Sequence, residues 1–167
     1  GSNILSGRGL IVARGGVYTA KVEAPVLWSV ERPALYTLRV KTFRGGVRTD
    51  CDSVRIGFRD CRFDADRGFF LNGKPLKIHG VCDHHDLGVF GAAVNPSALR
   101  RKLKLLCDMG VDAVRTSHND PSPVLLDLCD QMGLLVMDEL IDDWRTPKVA
   151  NGYAKYLDDR AEIDAAV

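Results

Sequence analysis

The chain has 167 residues, of which 46% are hydrophobic, and its 23 basic and 22 acidic residues leave a formal net charge of +1. This size and composition are typical of one ordinary globular domain or two small ones. A charge so close to zero gives no electrostatic reason to expect nucleic acid or an anionic membrane as a partner, and no apolar run is long enough to cross a bilayer. We therefore expect neither partner.

Short stretches with alternating polar and apolar residues, separated by turn residues, fill positions 7–58. The alternation over residues 35–43 predicts an antiparallel strand, and Gly45-Gly46 predicts the turn of a hairpin. A complete sandwich takes about 100 residues. We therefore expect part of an all-β, sandwich-like domain over residues 1–59.

The pattern changes after residue 60. Asn72-Gly73 predicts a tight hairpin turn, because a type I′ turn needs positive φ at both positions. Strand and helix then alternate, beginning with an apolar run over residues 76–82 that predicts a buried strand. Further strands are expected over residues 111–118 and 134–140, with the start of a third helix from Tyr153. This repeated unit predicts a parallel sheet with right-handed crossovers.

Two helices between these strands share one set of end signals. Asn95 and Ser122 are placed to cap them, each is followed by a proline at the first helical position, and a glycine ends each helix. Helical spacing places four side chains of the first helix on one apolar face: Leu99, Leu103, Leu106 and Met109.

About three βα units are present over residues 60–167, whereas a closed (β/α)8 TIM barrel has eight units and about 250 residues. A doubly wound sheet is the alternative at this length, but no glycine-rich phosphate loop follows the first strand. We favour the first three units of a TIM barrel. Such a piece exposes apolar surface meant for missing strands, so we expect the chain alone to be poorly stable.

The five cysteines are odd in number and form no Cys-x-x-Cys pair, which favours buried free thiols in a reducing compartment over a disulfide framework. No secretory signal is recognisable, and we expect a cytoplasmic protein. The chain starts with Gly1-Ser2 rather than methionine, which leaves a removed targeting segment open.

Each predicted parallel strand is followed by a polar cluster, and the function of a barrel is found at these strand ends. The clusters are residues 82–86, residues 115–120, and Asp138-Glu139 with Asp142, Asp143 and Trp144. Taken singly, each histidine is more often exposed or structural than functional. Arg115 needs a carboxylate partner. One alternative is a structural ion pair with Asp138 or Glu139, and the other is a functional role in which Arg115 holds a catalytic carboxylate ionised. Trp144 is either a core residue or a flat platform for a sugar ring.

A zinc-dependent hydrolase is an alternative, because His79, His84, His85 and His118 are all able to ligate zinc. The sequence has no His-Glu-x-x-His motif, and strand alternation sends His79 to the opposite face from His84. No metal site is therefore predicted from these residues.

Several segments together resemble family 2 glycoside hydrolases, particularly the β-galactosidase branch. They are Ile56-Gly57-Phe58-Arg59, GFFLNGKPLKIHGVCDHHDLG and MGVDAVRTSHNDPSPVLLDLCDQMGLLVMDE, and upstream APVLWSVERPALYTLRV is similar to the immunoglobulin-like domain of that family. The match runs from about Pro25 to Trp144 in the family's order and spacing. The resemblance implies the later part of an immunoglobulin-like β-sandwich followed by the start of the catalytic barrel.

The resemblance also implies an activity, the retaining hydrolysis of a terminal β-linked sugar in a β-galactoside or related glycoside, by enzymes that are often oligomeric. Two carboxyl groups about 5–5.5 Å apart carry out this reaction. In the family both are glutamates on later strands, the acid/base within an Asn-Glu pair. No Asn-Glu pair occurs here, and Glu139 lies on the wrong strand. No catalytic residue is therefore assigned, and we expect the chain alone to be inactive.

By the same resemblance, His84 and His118 would bond sugar hydroxyls, Arg115 would pair with the nucleophile, and Asp138 is the acidic residue that ends the third strand. Asn119 and Trp144 complete the predicted substrate-supporting set. Some members bind magnesium through Glu-x-His after this strand, but residues 143–145 read Asp-Trp-Arg, so no cofactor is predicted. Two other functions stay open, namely a non-catalytic carbohydrate-binding or assembly piece and a metal-dependent hydrolase on an unrelated barrel.

Overall fold

The computed structural model describes residues 22–140 and residue 149, and the chain divides into two compact units at Lys77 and Ile78. Each unit is described by itself. The first part of the alternating stretches expected over residues 7–58, the predicted third helix and Trp144 lie outside the described residues. The division at Lys77 and Ile78 places the hairpin around Asn72 in the first unit. The domain boundary expected between residues 59 and 60 stays a prediction.

The first unit contains the two predicted hairpins. Strand β1 (Tyr36–Arg44) pairs antiparallel with β2 (Val47–Ile56) through Gly45 and Gly46, whose φ angles are 57° and 79°. Strands β3 (Cys61–Asp64), β4 (Gly68–Leu71) and β5 (Lys74–Pro75) form a second antiparallel sheet. Asn72 and Gly73, with φ of 53° and 75°, have the positive values that the sequence predicts. The all-β prediction is confirmed for the described part of this unit.

The loop before β1 is anchored at Trp28, which is 2% exposed. The backbone N–H of Trp28 donates to the Phe58 carbonyl at 2.8 Å, and its carbonyl accepts from Asn72 Nδ2 at 2.9 Å. The guanidinium of Arg59 lies 5.0 Å from the indole ring. Trp28 therefore connects the two sheets of this unit.

The described part of the second unit is a parallel sheet with two connecting helices, as predicted. Its strands are β6 (Gly80–Asp83), β7 (Ala113–Thr116) and β8 (Leu135–Met137), in the order β6-β7-β8, and its helices are α1 (Pro96–Asp108) and α2 (Pro123–Met132). A short 3₁₀ turn lies at Gly88–Phe90. The described residues form no closed barrel. None of the helices in the described part of the chain is long and apolar enough to cross a membrane.

The predicted helix ends are confirmed. Asn95 Oδ1 accepts from the Ala98 N–H at 3.0 Å, and Ser122 Oγ accepts from the Leu125 N–H at 3.3 Å. Gly133 ends α2 in the left-handed conformation at φ 78°. These contacts satisfy backbone groups that a helix end otherwise leaves without partners.

The core of the second unit lies between the helices and the sheet. Its buried members are Leu99, Leu103, Val114, Leu125, Leu128, Cys129 and Leu134. The apolar face predicted for α1 is correct for Leu99 and Leu103 but wrong for Met109, which is 75% exposed. Met109 is the C-cap, so it lies past the last turn that packs on the sheet.

Two further predictions are corrected. The buried strand expected over residues 76–82 begins only at Gly80 and is half-exposed, because β6 lies at the edge of the sheet that the described residues form and β7 lies at its centre. The five cysteines are free, but Cys51, Cys61 and Cys82 are exposed rather than buried. Cys51 and Cys61 lie on strands that are largely exposed, and Cys82 lies on the half-exposed β6.

The cap of α2 gives a prediction about stability. Replacing Ser122 with alanine removes the acceptor of the Leu125 N–H, and we expect the free energy of unfolding to fall by about 1 kcal/mol. Urea titration of the wild-type protein and of the Ser122→Ala variant measures this loss of stability. Ser97→Ala is the matched control, because Ser97 is exposed within the first turn of α1 and is not its cap. Equal losses in the two variants would contradict the capping role.

Candidate functional site

Polar side chains gather where the three parallel strands end. The register places Cys82 of β6 beside Arg115 of β7, and Arg115 beside Met137 of β8. Because parallel strands all end at one edge of a sheet, the residues that follow them share that edge. The side chains of Arg115, His118 and Glu139 meet there.

Glu139 is at the centre of this group. Its Oε1 accepts from Arg115 Nη2 at 2.8 Å, and its Oε2 lies 3.1 Å from His118 Nδ1. The Glu139 side chain is 16% exposed, against 38% for Arg115 and 36% for His118. The carboxylate is thus covered, while its two partners still reach solvent.

The backbone at Glu139 is held by a buried hydroxyl. Thr116, which is 1% exposed, accepts the Glu139 N–H on Oγ1 at 2.9 Å, and the same hydroxyl donates to Asp138 Oδ1 at 3.5 Å. The end of β7 therefore fixes the two acidic residues that follow β8.

Contacts among Glu139, Arg115 and Cys82 shift the pKa values of these groups toward their charged forms. Burial raises the pKa of Glu139, but hydrogen bonds from Arg115 and His118 outweigh it, so that the pKa lies below its ordinary value. Arg115 Nη1 also donates to Cys82 Sγ at 3.5 Å, and this contact lowers the pKa of the thiol and raises that of the guanidinium. Glu139 is ionised and Arg115 is cationic at neutral pH.

His84 and the loop after β6 complete this edge. The His84 ring meets the His118 ring edge-on at 5.4 Å between centroids. Lys102 of α1 pairs with Asp83 and donates to the Asp86 carbonyl at 3.0 Å, which ties the loop to the helix. A cavity of about 380 Å³ opens beside it, lined among others by His84, His85, Lys102 and Asp120.

The structure brings together three of the six residues predicted from the sequence. The His118 ring contacts the His84 ring on one side and lies 3.4 Å from Arg115 Nη2 through its Nδ1. Asp138 is bonded to the Thr116 hydroxyl, which also accepts the Glu139 N–H. Asn119 is exposed next to His118. Trp144, the sixth, lies outside the described residues. The structural ion pair weighed for Arg115 is present, and its partner is Glu139.

Glu139 is the site residue that sequence reasoning left unassigned. A signal for it exists, because the register of parallel strands places the residues after β8 beside Arg115, and an arginine at a strand end needs a carboxylate. The possible partners Asp138 and Glu139 are adjacent, and neighbouring residues point in different directions. The three-dimensional structure distinguishes them, because Arg115 donates to Glu139.

The histidines do not assemble as metal ligands in the described part of the chain. His79 lies at the other end of the sheet, where its backbone N–H donates to Asp112 Oδ1 at 2.7 Å and its Nδ1 lies 3.4 Å from Asp112 Oδ2. Among residues 22–140, no three histidine, cysteine or acidic side chains come together in a way that could hold a metal ion. Residues 143–145, the region compared with the magnesium motif, lie outside the described residues.

Comparison with known families identifies the two parts of the chain. Residues 65–159 match the model of the TIM barrel domain of glycosyl hydrolases family 2, and residues 3–59 match a further model described as glycosyl hydrolases family 2. The chain belongs to glycosyl hydrolase family 2. The resemblance to this family noted in the sequence is thereby confirmed.

Family 2 relatives differ in their named substrates. The chain is 49% identical over 143 residues to the β-galactosidase BoGH2A of Bacteroides ovatus, covering 86% of the chain and 17% of that relative. A β-glycosidase structure from Bacteroides vulgatus matches at a TM-score of 0.77 and 46% identity, covering 85% of the chain and 18% of that protein. A Parabacteroides merdae β-glucuronidase matches at a TM-score of 0.71 and 33% identity, over 84% and 17%. The chain thus spans less than a fifth of the length of these relatives.

Proposed function

We propose that the chain is part of a retaining exo-β-glycosidase, called here the intact enzyme, that hydrolyses terminal β-linked sugars. The observation that carries the proposal is the meeting of Arg115, His118 and Glu139, with His84 beside them, at the carboxyl ends of parallel strands. This edge is where barrel enzymes bind their substrates. Membership of family 2 supports a glycoside as the substrate class.

In the intact enzyme, further strands continue the β6-β7-β8 sheet into a closed (β/α)8 barrel, and residues 1–59 belong to an immunoglobulin-like sandwich. Two glutamates on later strands act as acid/base and nucleophile, about 5–5.5 Å apart as retention requires. His84 and His118 hold sugar hydroxyls, and Asp138, Asn119 and Trp144 support them. Arg115 keeps the nucleophile ionised, because a fixed cation favours the charged form of a nearby carboxyl group.

We expect the substrate to be a β-galactoside. The relative that supports this is named a β-galactosidase and is 49% identical, whereas the β-glucuronidase compared above is 33% identical. A β-glucuronide is the second candidate, since relatives bearing both names share this part of the chain. A glucuronide carries a carboxylate, and an enzyme that binds it needs a cationic side chain that forms a hydrogen bond with this group.

The test compares the intact enzyme with the 167-residue chain on nitrophenyl β-galactoside and β-glucuronide. We expect the intact enzyme to hydrolyse the galactoside, with a β-anomeric first product seen by NMR, and the chain alone to release no nitrophenol above a buffer blank. An α-anomeric first product would contradict retention. Turnover by the chain alone would contradict the placing of the catalytic glutamates on later strands.

A further inference from the structure

The function proposed above assigns no role to Glu139, although its carboxylate contacts both Arg115 and His118. Its two carboxylate oxygens are divided between them, Oε1 accepting from Arg115 Nη2 and Oε2 facing His118 Nδ1. Its backbone is fixed by the buried Thr116 hydroxyl. Glu139 is therefore held at three points, with one carboxylate oxygen against each of the two side chains.

The position of the proton on His118 follows from these contacts. Nδ1 of His118 lies 3.1 Å from Glu139 Oε2 and 3.4 Å from Arg115 Nη2. A guanidinium only donates and an ionised carboxylate only accepts, so one neutral ring nitrogen cannot bond both. The Glu139 contact is shorter and involves a charged acceptor, and Arg115 already donates to the same carboxylate. Nδ1 therefore carries the proton and donates it to Glu139.

We propose that Glu139 is a positioning residue that holds His118 with its proton on Nδ1 and so presents Nε2 as a hydrogen-bond acceptor to a sugar hydroxyl. This inference rests on the function proposed above. The second nitrogen of a histidine takes its role from the bond that the first one makes. The edge contact with His84 restricts the same ring, so that Nε2 points in a fixed direction.

The substitution Glu139→Gln tests the inference with almost no change of shape. The amide oxygen must face Arg115, which only donates, and the amide NH₂ then faces His118 Nδ1. That nitrogen becomes an acceptor, and the proton moves to Nε2. We expect kcat/KM of the intact enzyme to fall about tenfold, the lower end of the loss seen when a metal-bound histidine loses the partner that orients it. Asp108→Asn, which breaks the exposed pair with Lys104 on α1, is the matched control and should leave kcat/KM unchanged.

A double-mutant cycle with His118→Ala separates positioning from a general structural role. If Glu139 acts through His118, adding Glu139→Gln to His118→Ala lowers kcat/KM no further. Losses that multiply in the double variant would overturn the inference, and so would a Glu139→Gln variant with unchanged kcat/KM. Thermal unfolding of each variant is measured alongside. If Glu139→Gln is unstable, Glu139→Asp keeps the charge, is too short to reach both partners, and enters the same cycle.

The two proposals fail differently. An intact wild-type enzyme that hydrolyses neither glycoside would overturn the proposed function. An active enzyme in which the two losses multiply would overturn only the role of Glu139.

Discussion

Replacing Arg115 with alanine is expected to lower kcat/KM of the intact enzyme about a hundredfold, which is the usual loss when one fixed electrostatic group is removed from an active site. Arg115 donates to Glu139 at 2.8 Å and contacts Cys82, so its loss disturbs both neighbouring strands. It would also remove the cation that we propose keeps the nucleophile ionised. Initial rates on the nitrophenyl β-galactoside measure the effect.

Two further variants show whether the effect belongs to this site. Arg100→Ala removes an exposed arginine of α1, bonded to Gln131, and should leave kcat/KM unchanged. Arg115→Lys keeps the charge but loses the planar group that bonds two partners at once, so we expect only partial recovery. An Arg115→Ala variant with wild-type kcat/KM would contradict the role proposed for this residue.

The parts of the fold that follow from local chemistry could be predicted from the sequence. Asn95 and Ser122 cap their helices as expected, and Asn72-Gly73 adopts the positive φ angles that its turn requires. In each case the cause lies within a few neighbouring residues. Strand order is also predictable, because repeated βα units with short connections favour adjacent parallel strands.

Features that depend on distant neighbours could not be predicted in the same way. The apolar run over residues 76–82 predicts a buried strand, but the exposure of β6 depends on which strands lie on either side of it. The same limit applies to Glu139, because its role depends on the directions of side chains that are 21 and 24 residues away in sequence. The arginine's need for a carboxylate was predictable, whereas the choice between two adjacent acidic residues was not.

The largest effect on stability is expected for Leu103→Ala. Leu103 is 0% exposed and lies in the core between α1, α2 and the sheet, together with Val114 and Leu128. Removing its side chain leaves a cavity, and we expect the free energy of unfolding to fall by about 2–5 kcal/mol. Both described helices lie in the second unit, so helical circular dichroism during a urea titration reports on this region.

Leu105→Ala is the matched control, because it makes the same change in the same helix at a side chain that is 48% exposed. Helix propensity changes equally in the two variants, so the difference between them isolates the burial of Leu103. Leu103→Met, which nearly conserves volume, should cost less than about 1.5 kcal/mol and provides a graded variant if the alanine form does not fold. Equal losses for Leu103→Ala and Leu105→Ala would mean that α1 does not pack on the sheet through Leu103. The site at the strand ends would then lack its support, because α1 also carries Lys102, which holds the loop after β6 through Asp83 and the Asp86 carbonyl.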